Sequence, residues 1–196
     1  MSLRSTVNRW RRRLAHALHF RIAFGESSQG RELPNTRISP STCIECEDRL
    51  VLGDHVFIGH FNFLECSGGL TIEEGVQITS HCSIVTHSSH RSQRLLGRRF
   101  VEPHDGPRAG WIGGPIRIGA YSFIGPHSVI EAHTTLGRGT LVRAGSVVRG
   151  HFPDFAVLEG APARVVGDTR EADARLLQQH PGCRPDRAQW AGDDLP

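Results

Sequence analysis

The sequence has little net charge, no paired C-x-x-C motifs and no long uninterrupted apolar run, and each absence excludes a class of protein. The formal net charge of +3 over 196 residues is too small to indicate nucleic-acid binding by itself. The apolar stretch around residues 14–24 is short and is interrupted by His16, His19 and Arg21, so it does not predict a secretory segment. We therefore expect a reducing, cytoplasmic compartment in which the five cysteines, an odd number, stay unpaired.

The single C-x-x-C motif consists of Cys43 and Cys46. A structural zinc site takes about four ligands, and no second pair follows to complete one. Both cysteines also fall within the strand repeat described next. The pattern therefore predicts buried thiols here and no metal site.

In most of the chain, helical periodicity is also missing, and branched apolar residues recur every six positions. An amphipathic helix places apolar residues three and four apart and a half-buried strand places them two apart, so a period of six indicates a repeat architecture. In the second half of the chain the anchors of the repeat are Ile112, Ile118, Ile124, Ile130, Leu136, Val142 and Val148. In the first half, with two interruptions, they are Ile38, Ile44, Leu50, Leu52, Ile58, Leu64, Ile72, Ile78 and Ile84.

The position four residues after an anchor is also restricted. It holds small or β-branched residues in the second half and slightly larger ones in the first: Ser122, Ser128, Thr134, Thr140, Ser146, Val56, Val76 and Cys82. Glycine directly follows several anchors, as at Gly119 and Gly125. Each unit is therefore predicted to be one short strand and a tight turn, with the anchor pointing inward. Stacked units would form an all-β, prism-shaped solenoid.

The two ends of the chain depart from the repeat. Residues 1–30 place Leu3, Val7, Trp10, Leu14 and Leu18 at helical spacing with arginines between them, which predicts a basic amphipathic helix and a linker. Two interpretations of this helix stay open: it lies on an anionic membrane surface through residues 1–24, or it packs against the prism or a neighbouring subunit. Residues 31–167 would form the repeat domain. Residues 168–196 would form a tail, poorly ordered from Pro181 onward.

Three stretches resemble a known family over about residues 38–167. Residues 114–150 (GPIRIGAYSFIGPHSVIEAHTTLGRGTLVRAGSVVRG) look like its final coils, and residues 152–168 (FPDFAVLEGAPARVVGD) look like its closing loop. Residues 78–94 (ITSHCSIVTHSSHRSQR) are similar to the coil that carries its catalytic histidine. These stretches resemble the hexapeptide-repeat acyltransferases, notably the branch containing galactoside, maltose, xenobiotic and polysaccharide O-acetyltransferases.

The resemblance implies a left-handed parallel β-helix, an exception to the right-handed crossover rule. It also implies a homotrimer with active sites between subunits, in which acetyl-CoA donates an acetyl group to a sugar hydroxyl of a glycan or glycan precursor. Two alternatives stay open within the same fold. One is an N-acyltransferase acting on an amino sugar or another small acceptor; the other is a zinc-dependent trimer similar to carbonic anhydrase, for which His55 and His60 would be ligands.

Acyl transfer to a hydroxyl needs a base, and histidine suits this task near neutral pH. The candidates are His90 and His87, which stand at the mouth of a break in the repeat over residues 91–110. In the family the base usually follows its anchor by five residues, where this chain has Ser89, and one inserted residue would bring His90 to that position. We therefore predict His90 first and His87 second. A carboxylate, Glu65, is hypothesised to hold the other ring nitrogen of the base.

The resemblance further implies a set of coenzyme A contacts, obtained by gapless alignment of the ending: Phe123, Pro126, Ala144, Gly145, Arg149 and Arg164. The two arginines suit phosphate groups because guanidinium forms charge-assisted hydrogen bonds with them. One coil before the histidines, relatives often have an asparagine where this chain has Gly59. His60, Asn62 and Glu65 lie nearby in sequence and are the predicted substitutes.

Overall fold

The computed structural model describes residues 3–103, 106 and 108–192, and most of them form very short strands. Most strands, numbered in chain order, stack into three sheets that are the faces of a prism, and their pairing is parallel except between the last two strands of the chain. Face 1 contains β3 (Arg37–Ile38), β6 (Phe57–Ile58), β9 (Gln77–Ile78), β14 (Phe123–Ile124), β17 (Leu141–Val142), β20 (Ala156–Gly160) and β21 (Ala163–Asp168). Face 2 contains β4 (Cys43–Glu45), β7 (Phe63–Glu65), β10 (Ser83–Val85), β15 (Val129–Glu131) and β18 (Val147–Val148). Face 3 contains β5 (Leu50–Leu52), β8 (Leu70–Ile72), β13 (Ile116–Ile118), β16 (Thr135–Leu136) and β19 (His151–Phe152).

The remaining elements flank this prism. Two antiparallel hairpins lie outside the three faces: β1 (Glu26–Ser28) with β2 (Arg31–Leu33), and β11 (His87–Ser88) with β12 (Ile112–Gly113). The α-helices are α1 (Leu3–Ala15), α2 (His90–Leu96), α3 (Thr169–Gln179) and α4 (Arg184–Ala191). A π-helical turn, His16–Phe20, extends α1, and 3₁₀ turns cover Glu47–Arg49, Gly97–Val101 and Pro181–Cys183.

Each coil of the chain visits faces 1, 2 and 3 in turn, and the register places equivalent anchors above one another. On face 2, for example, Leu64 pairs with Ile44 on one side and Ile84 on the other, and Ile84 pairs with Ile130. The pairing is parallel throughout these three contacts. This arrangement confirms the repeat architecture predicted from the period of six.

The core is a column of anchors with small residues at its corners. Ile58, Ile78 and Ile124 are fully buried, as are Ser128 and Thr134. Branched anchors fill the narrow interior and lose their water contact, which is the main stabilising contribution of such coils. The corner hydroxyls satisfy backbone carbonyls that would otherwise be buried without a partner. These bonds include Ser122 Oγ to Gly137 O (3.1 Å), Thr140 Oγ1 to Gly137 O (2.7 Å) and Ser146 Oγ to Arg143 O (2.7 Å).

Three expectations based on the repeat are wrong. Ile112 keeps the period of six but lies in the β11–β12 hairpin, where it is only half-buried, because the chain leaves the prism between Thr86 and Pro115. Cys43 and Cys46 are exposed. Strand β4 alternates so that Ile44 points inward and Cys43 outward, and Cys46 stands in a turn with a positive φ of 56°.

The carboxyl-terminal segment is helical over most of its length, so the expectation of a poorly ordered tail from Pro181 is wrong for residues 181–192. Trp190 of α4 stacks on Tyr121 with ring centroids 4.6 Å apart, and its ring lies 6.1 Å from that of Phe155. Both partners project from turns between faces 3 and 1. Aromatic packing onto a corner of the prism therefore holds this segment.

The amino-terminal helix does not pack in this way. No residue of α1 is buried. The segment is held at its end instead, where the ring of Phe20 lies 5.7 Å from the rings of both His60 and Phe61. Among the described residues, no helix combines the length and apolar character needed to cross a bilayer.

Candidate active site

The turns that connect face 2 to face 3 form one edge of the prism, here called the site corner. In the third coil this turn opens after Thr86 into the β11–β12 hairpin and the predicted excursion, which carries α2 and a 3₁₀ turn. Gly113 and Gly114 bring the chain back. A Cβ atom on Gly113 would lie 2.7 Å from Trp111 Nε1, and one on Gly114 would lie 2.1 Å from the His133 ring, so a side chain at either position would have to displace one of these rings.

Glu65 lies beneath this opening with its side chain only 4% exposed. Its carboxylate accepts hydrogen bonds from Ser67 N (2.8 Å), Thr86 N (3.1 Å) and Thr86 Oγ1 (2.6 Å). Its Oε2 atom also lies 2.8 Å from Nδ1 of His87. A buried carboxylate costs free energy unless it is fully bonded, and this one has several donors around it.

These donors keep Glu65 ionised. Burial alone would raise the pKa of the carboxyl group, but hydrogen bonds from Ser67, Thr86 and His87 outweigh it and lower the pKa from 4.5 to about 2. A carboxylate that stays charged at neutral pH stabilises a positive charge on the imidazole beside it. The Glu65–His87 contact therefore suits a histidine that gains and loses a proton.

The imidazole of His87 is held on two sides. Nδ1 faces Glu65 Oε2 and also lies 3.1 Å from Ser67 Oγ. The ring of Trp111 stacks on it with centroids 4.5 Å apart and planes 13° apart. A neutral imidazole that donates Nδ1–H to Glu65 has its lone pair on Nε2, and Nε2 makes no hydrogen bond to any residue that the structure describes. The side chain is 29% exposed, so Nε2 is available to a ligand.

A pocket of about 100 Å³ opens beside this histidine. Its lining crosses three neighbouring coils at the site corner and includes Val85, His87, Ser88, His90, Ile112, Glu131, Ala132 and Arg149. It contains two imidazoles, a carboxylate and a guanidinium on an otherwise partly apolar wall. Such a mixture of polar groups in a concave site is typical of small-molecule binding.

The two candidate bases have different surroundings. His90 is the first residue of α2, is exposed, and its Nδ1 atom lies 2.7 Å from Ser88 Oγ. It lines the pocket, but no carboxylate pairs with it among the described residues. The structure therefore brings Glu65 to His87, the second-ranked histidine, and leaves His90 with a hydroxyl partner only.

The proposed substitutes for the missing asparagine have structural partners. Asn62 is buried and donates from Nδ2 to Gly59 O (2.9 Å) and Thr79 O (2.7 Å), while its Oδ1 accepts from Cys82 N (2.7 Å). His60 Nδ1 lies 2.6 Å from Ser39 Oγ. Both residues stand at the turns between faces 1 and 2, and neither lines the His87 pocket.

The predicted coenzyme A contacts fall into two groups within one chain. Phe123 is 39% exposed on face 1, and Arg164 is exposed on the same face. Pro126, Ala144 and Gly145 follow at the turns into face 2 and are also exposed; Gly145 N donates to Pro126 O at 2.9 Å. These five form the first group.

The second group is Arg149 alone. Strand β18 (Val147–Val148) separates it from Gly145 and carries it to the site corner, beside His87. A single chain therefore does not bring it together with Phe123.

Sequence reasoning missed three residues that shape the site: Ser67, Thr86 and Trp111. Ser67 and Thr86 supply the hydrogen bonds that hold Glu65, and Trp111 covers the imidazole. Ser67 precedes the Gly68–Gly69 interruption of the repeat, which was the one available signal. Nothing in the sequence connects Trp111 with His87, because the intervening excursion decides where the chain returns.

The two histidines of the zinc alternative lie apart within one chain. No cluster of three or more histidine, cysteine, aspartate or glutamate side chains able to hold a metal occurs in the described part of the chain. His55 stands at a turn between faces 3 and 1 and lies 3.4 Å from Asn35 Nδ2, whereas His60 stands at a different edge of the prism.

Comparisons with known proteins agree with this architecture. A family model described as bacterial transferase hexapeptide (six repeats) matches residues 115–150. No curated protein sequence is similar enough to count as a match. A solved hexapeptide-repeat-containing acetyltransferase from Vibrio cholerae is 26% identical, covers 67% of this chain and 69% of its own, and superposes with a TM-score of 0.56.

Other solved structures extend the comparison. The same Vibrio cholerae protein complexed with acetyl coenzyme A matches with a TM-score of 0.55, covering 68% of this chain and 67% of its own. An N-acyltransferase from Bacillus cereus, solved with dTDP and coenzyme A, is 19% identical and covers 74% of this chain and 88% of its own (TM-score 0.52). A maltose O-acetyltransferase from Clostridium difficile 630 is 22% identical and covers 65% of this chain and 63% of its own (TM-score 0.51). The last two, at these identities, support the fold alone.

The matched repeat, the stacked parallel sheets and the similarity to an acetyltransferase that binds acetyl coenzyme A converge on one family. This chain resembles the hexapeptide-repeat acyltransferases, and its stacked parallel sheets are typical of the left-handed β-helix of those enzymes.

Proposed function

We propose that this coenzyme A-dependent acyltransferase moves an acetyl group from acetyl-CoA to a sugar hydroxyl of a glycan or glycan precursor, with His87 as the general base. The observation that carries this proposal is the contact between Nδ1 of His87, a residue that lines the pocket, and the buried, ionised Glu65. An imidazole held in one tautomer by a carboxylate is the recurring arrangement for removing a hydroxyl proton.

The proposed reaction is a direct transfer with no covalent enzyme intermediate. Nε2 of His87 takes the proton of the acceptor hydroxyl as its oxygen attacks the thioester carbonyl carbon, and a tetrahedral oxyanion forms. When the carbon–sulfur bond breaks, the coenzyme A thiolate leaves and receives a proton from the imidazolium. Glu65 stabilises the imidazolium between these two steps but does not itself take the proton.

His87 replaces His90 as the first choice for the base because of their partners. A base that shuttles a proton benefits from a neighbouring negative charge, and Glu65 supplies it only to His87. His90 lines the same pocket and bonds to Ser88, so it is positioned to contact the acceptor. Both histidines lie within one small site, and alanine variants of each distinguish their roles.

A homotrimer is part of the proposal. The exposed strip formed by Phe123, Pro126 and Gly145 and the pocket of His87 lie on opposite edges of face 2 in one chain. In a trimer of prisms the strip of one subunit would face the pocket of the next, so that donor and base meet at the boundary. Size-exclusion chromatography with light scattering tests this directly, since the monomer mass is 21.6 kDa.

Arg149 is reassigned in this proposal from the coenzyme A phosphates to the acceptor. It lines the pocket of His87, where the thioester would react, and the pantetheine arm separates the thioester from the phosphates of the same coenzyme A. Its guanidinium can donate paired hydrogen bonds to a carboxylate or to vicinal hydroxyls of a saccharide. An acidic sugar is therefore one of the acceptors to be tested.

A reducing, cytoplasmic setting completes the proposal. The five cysteines are all free in the structure, and three of them, Cys43, Cys46 and Cys183, are exposed. Exposed thiols persist where the compartment keeps them reduced. Labelling of the protein in intact cells with a membrane-impermeant thiol reagent would test this setting.

The experiment for the function measures thiol release from acetyl-CoA with neutral sugars, acidic sugars, amino sugars and no acceptor. Acceptor-dependent release with hydroxyl sugars, absent from His87→Ala, is the expected result. Release with amino sugars alone would replace O-acylation by N-acylation. No release above the rate without acceptor, together with no binding of coenzyme A, would indicate a scaffold and end the proposal.

A further inference from the structure

The amino-terminal helix presents an apolar stripe that the rest of the chain does not cover. Leu3, Val7, Trp10 and Leu14 follow one another at intervals of four, three and four residues, so they share one face of α1. Their exposures are 81%, 47%, 64% and 61%, and Leu18 in the following turn is 67% exposed. Five large apolar side chains in one row facing solvent indicate an interaction surface rather than scattered surface residues.

The charge of this segment is equally one-sided. Residues 1–25 contain six arginines and no aspartate or glutamate, and the first acidic residue of the chain is Glu26. Residues 26–196 contain 17 arginines against 20 acidic residues, so the positive net charge of the chain comes from its beginning. The arginines are Arg4, Arg9, Arg11, Arg12, Arg13 and Arg21. An apolar row flanked by cations complements a surface with an apolar interior and anionic rim.

The same charge argues against a contact between two copies of the helix. Two such helices packed through their apolar rows would bring two sets of arginines together with no acidic residue of either segment to compensate. Packing on the chain's own prism is also excluded for the described residues, because none in α1 is buried. A bilayer of anionic phospholipid offers acyl chains to the apolar row and phosphate groups to the arginines.

The helix is joined to the prism at a defined place. Phe20 packs on His60 and Phe61, and the guanidinium of Arg37 lies 4.8 Å from the ring centre of Phe24. These contacts belong to the first two coils. A surface held by α1 would therefore lie next to that end of the prism, while the His87 pocket lies along a side edge and stays open.

We propose that residues 3–24 are a peripheral anchor that lies in the interface of an anionic phospholipid bilayer. The apolar row from Leu3 to Leu18 would enter the boundary between headgroups and acyl chains, and the arginines would contact lipid phosphates. Trp10 suits this depth because its indole is apolar with one polar tip. This anchor places the acyltransferase beside a membrane and is independent of which acceptor it uses.

Sedimentation with vesicles tests the anchor on the full chain. Vesicles of phosphatidylcholine alone are compared with vesicles that also contain phosphatidylglycerol. We expect at least about tenfold tighter partition onto the anionic vesicles, weakening as salt is added, since each basic residue near the surface contributes to attraction that salt screens. Equal partition onto both kinds of vesicle, or none, would overturn the proposal.

Two variants locate the binding. Trp10→Glu combined with Leu14→Glu should abolish partition while thermal unfolding stays unchanged, because neither side chain is buried. Leu176→Glu is the matched control, since Leu176 is 52% exposed on α3, and it should bind vesicles like the unmodified protein. If the double variant still bound vesicles, the apolar row of α1 would not be a lipid anchor. If the double variant only lowered the oligomer mass in light scattering, the row would instead contribute to assembly between subunits.

Discussion

The two edges of the prism that border face 2 both carry imidazoles, and they differ in what surrounds them. At the turns between faces 1 and 2, here called the histidine corner, His81 and His127 stack on one another with centroids 5.1 Å apart and planes 9° apart. At the site corner, His87 contacts a buried carboxylate and lines a pocket. Residue type and coil position are similar, so the surroundings decide which histidine can do chemistry.

The difference begins with the length of the turn. At the histidine corner every coil turns tightly, and His81 and His127 occupy left-handed positions with φ of 62° and 60°. Their rings lie flat along the edge, and no carboxylate pairs with them among the described residues. At the site corner the third coil opens, so a side chain from the coil below, Glu65, can reach His87. An interruption in a regular solenoid is therefore where a site can form.

The largest expected difference between the two edges is in turnover. His87→Ala should lower kcat by about 10³-fold, since a general base contributes about 10²–10⁴-fold. His81→Ala, from the other edge, should change kcat by less than about twofold, because the proposal places only the coenzyme A arm at that edge and no group that takes or gives a proton. Steady-state kinetics of acetyl transfer measures both. If His90→Ala abolished turnover and His87→Ala did not, the order predicted from the sequence would be correct after all.

Removing the charge of Glu65 tests why the two edges differ. Glu65→Gln keeps the shape and most hydrogen-bonding atoms but cannot stabilise an imidazolium, so kcat should fall by about 10²-fold with the KM for acetyl-CoA nearly unchanged. Glu65→Asp, which keeps the charge on a shorter side chain, should recover part of the loss. A purely structural role for Glu65 would instead leave the kcat of the correctly folded fraction unchanged in both variants.

The same carboxylate predicts a pH dependence of stability. Its pKa is lowered from 4.5 to about 2, so its ionised form stabilises the fold; this contribution is complete above pH 4.5 and is lost as the pH falls toward 2. The shift corresponds to about 3 kcal/mol of unfolding free energy. Urea unfolding of the wild type and Glu65→Gln at several pH values should therefore show a gap that is widest near pH 7 and narrows in acid. A gap independent of pH would contradict the lowered pKa.

Arg149 provides a smaller contrast within the site corner. Arg149→Ala should raise the KM for an acidic acceptor about tenfold, because one charge-assisted contact is lost, while the KM for acetyl-CoA stays within about twofold. Arg143→Ala is the control, since Arg143 lies one turn earlier and pairs with Glu159 on the surface. An increase in the KM for acetyl-CoA alone would return Arg149 to the phosphate role expected from the family.

Trp111 is expected to have the smallest effect. Its ring stacks on His87, and such a contact with an imidazolium contributes about 1 kcal/mol, so Trp111→Ala should lower kcat about fivefold. Trp111→Phe keeps an aromatic face and should retain most of the activity. If both variants lost activity equally, the indole Nε1–H rather than the ring face would be responsible.

The repeat could be predicted from the sequence because the position of each anchor in the period of six indicates that its side chain points inward. Ile58, Ile78 and Ile124 are buried as the period of six predicts, and Ser128 and Thr134 fill the corners. The prediction failed where a residue keeps the local sequence pattern but the chain does not place its side chain in the core of the prism. Ile112 keeps the period but has left the prism, and Cys43 stands on the outward side of β4.

The candidate site was readable only in part. The sequence drew attention to Glu65, His87 and His90, because they stand near breaks in the repeat. The contact between Glu65 and His87 could not be predicted, since it depends on how one coil stacks on the next and on where the excursion rejoins the prism. Ser67 and Thr86 look like ordinary corner residues, and their role in holding Glu65 appears only in three dimensions.

By itself the sequence determined the prism and the amphipathic character of its first helix, because both follow from side-chain spacing along a continuous backbone. Tertiary structure alone decided which imidazole meets a carboxylate. Residues 65 and 87 lie 22 positions apart, and stacking of one coil on the next brings Glu65 Oε2 within 2.8 Å of His87 Nδ1. Such a contact depends on register between coils, and a pattern read along one chain contains no information about that register beyond the anchors themselves.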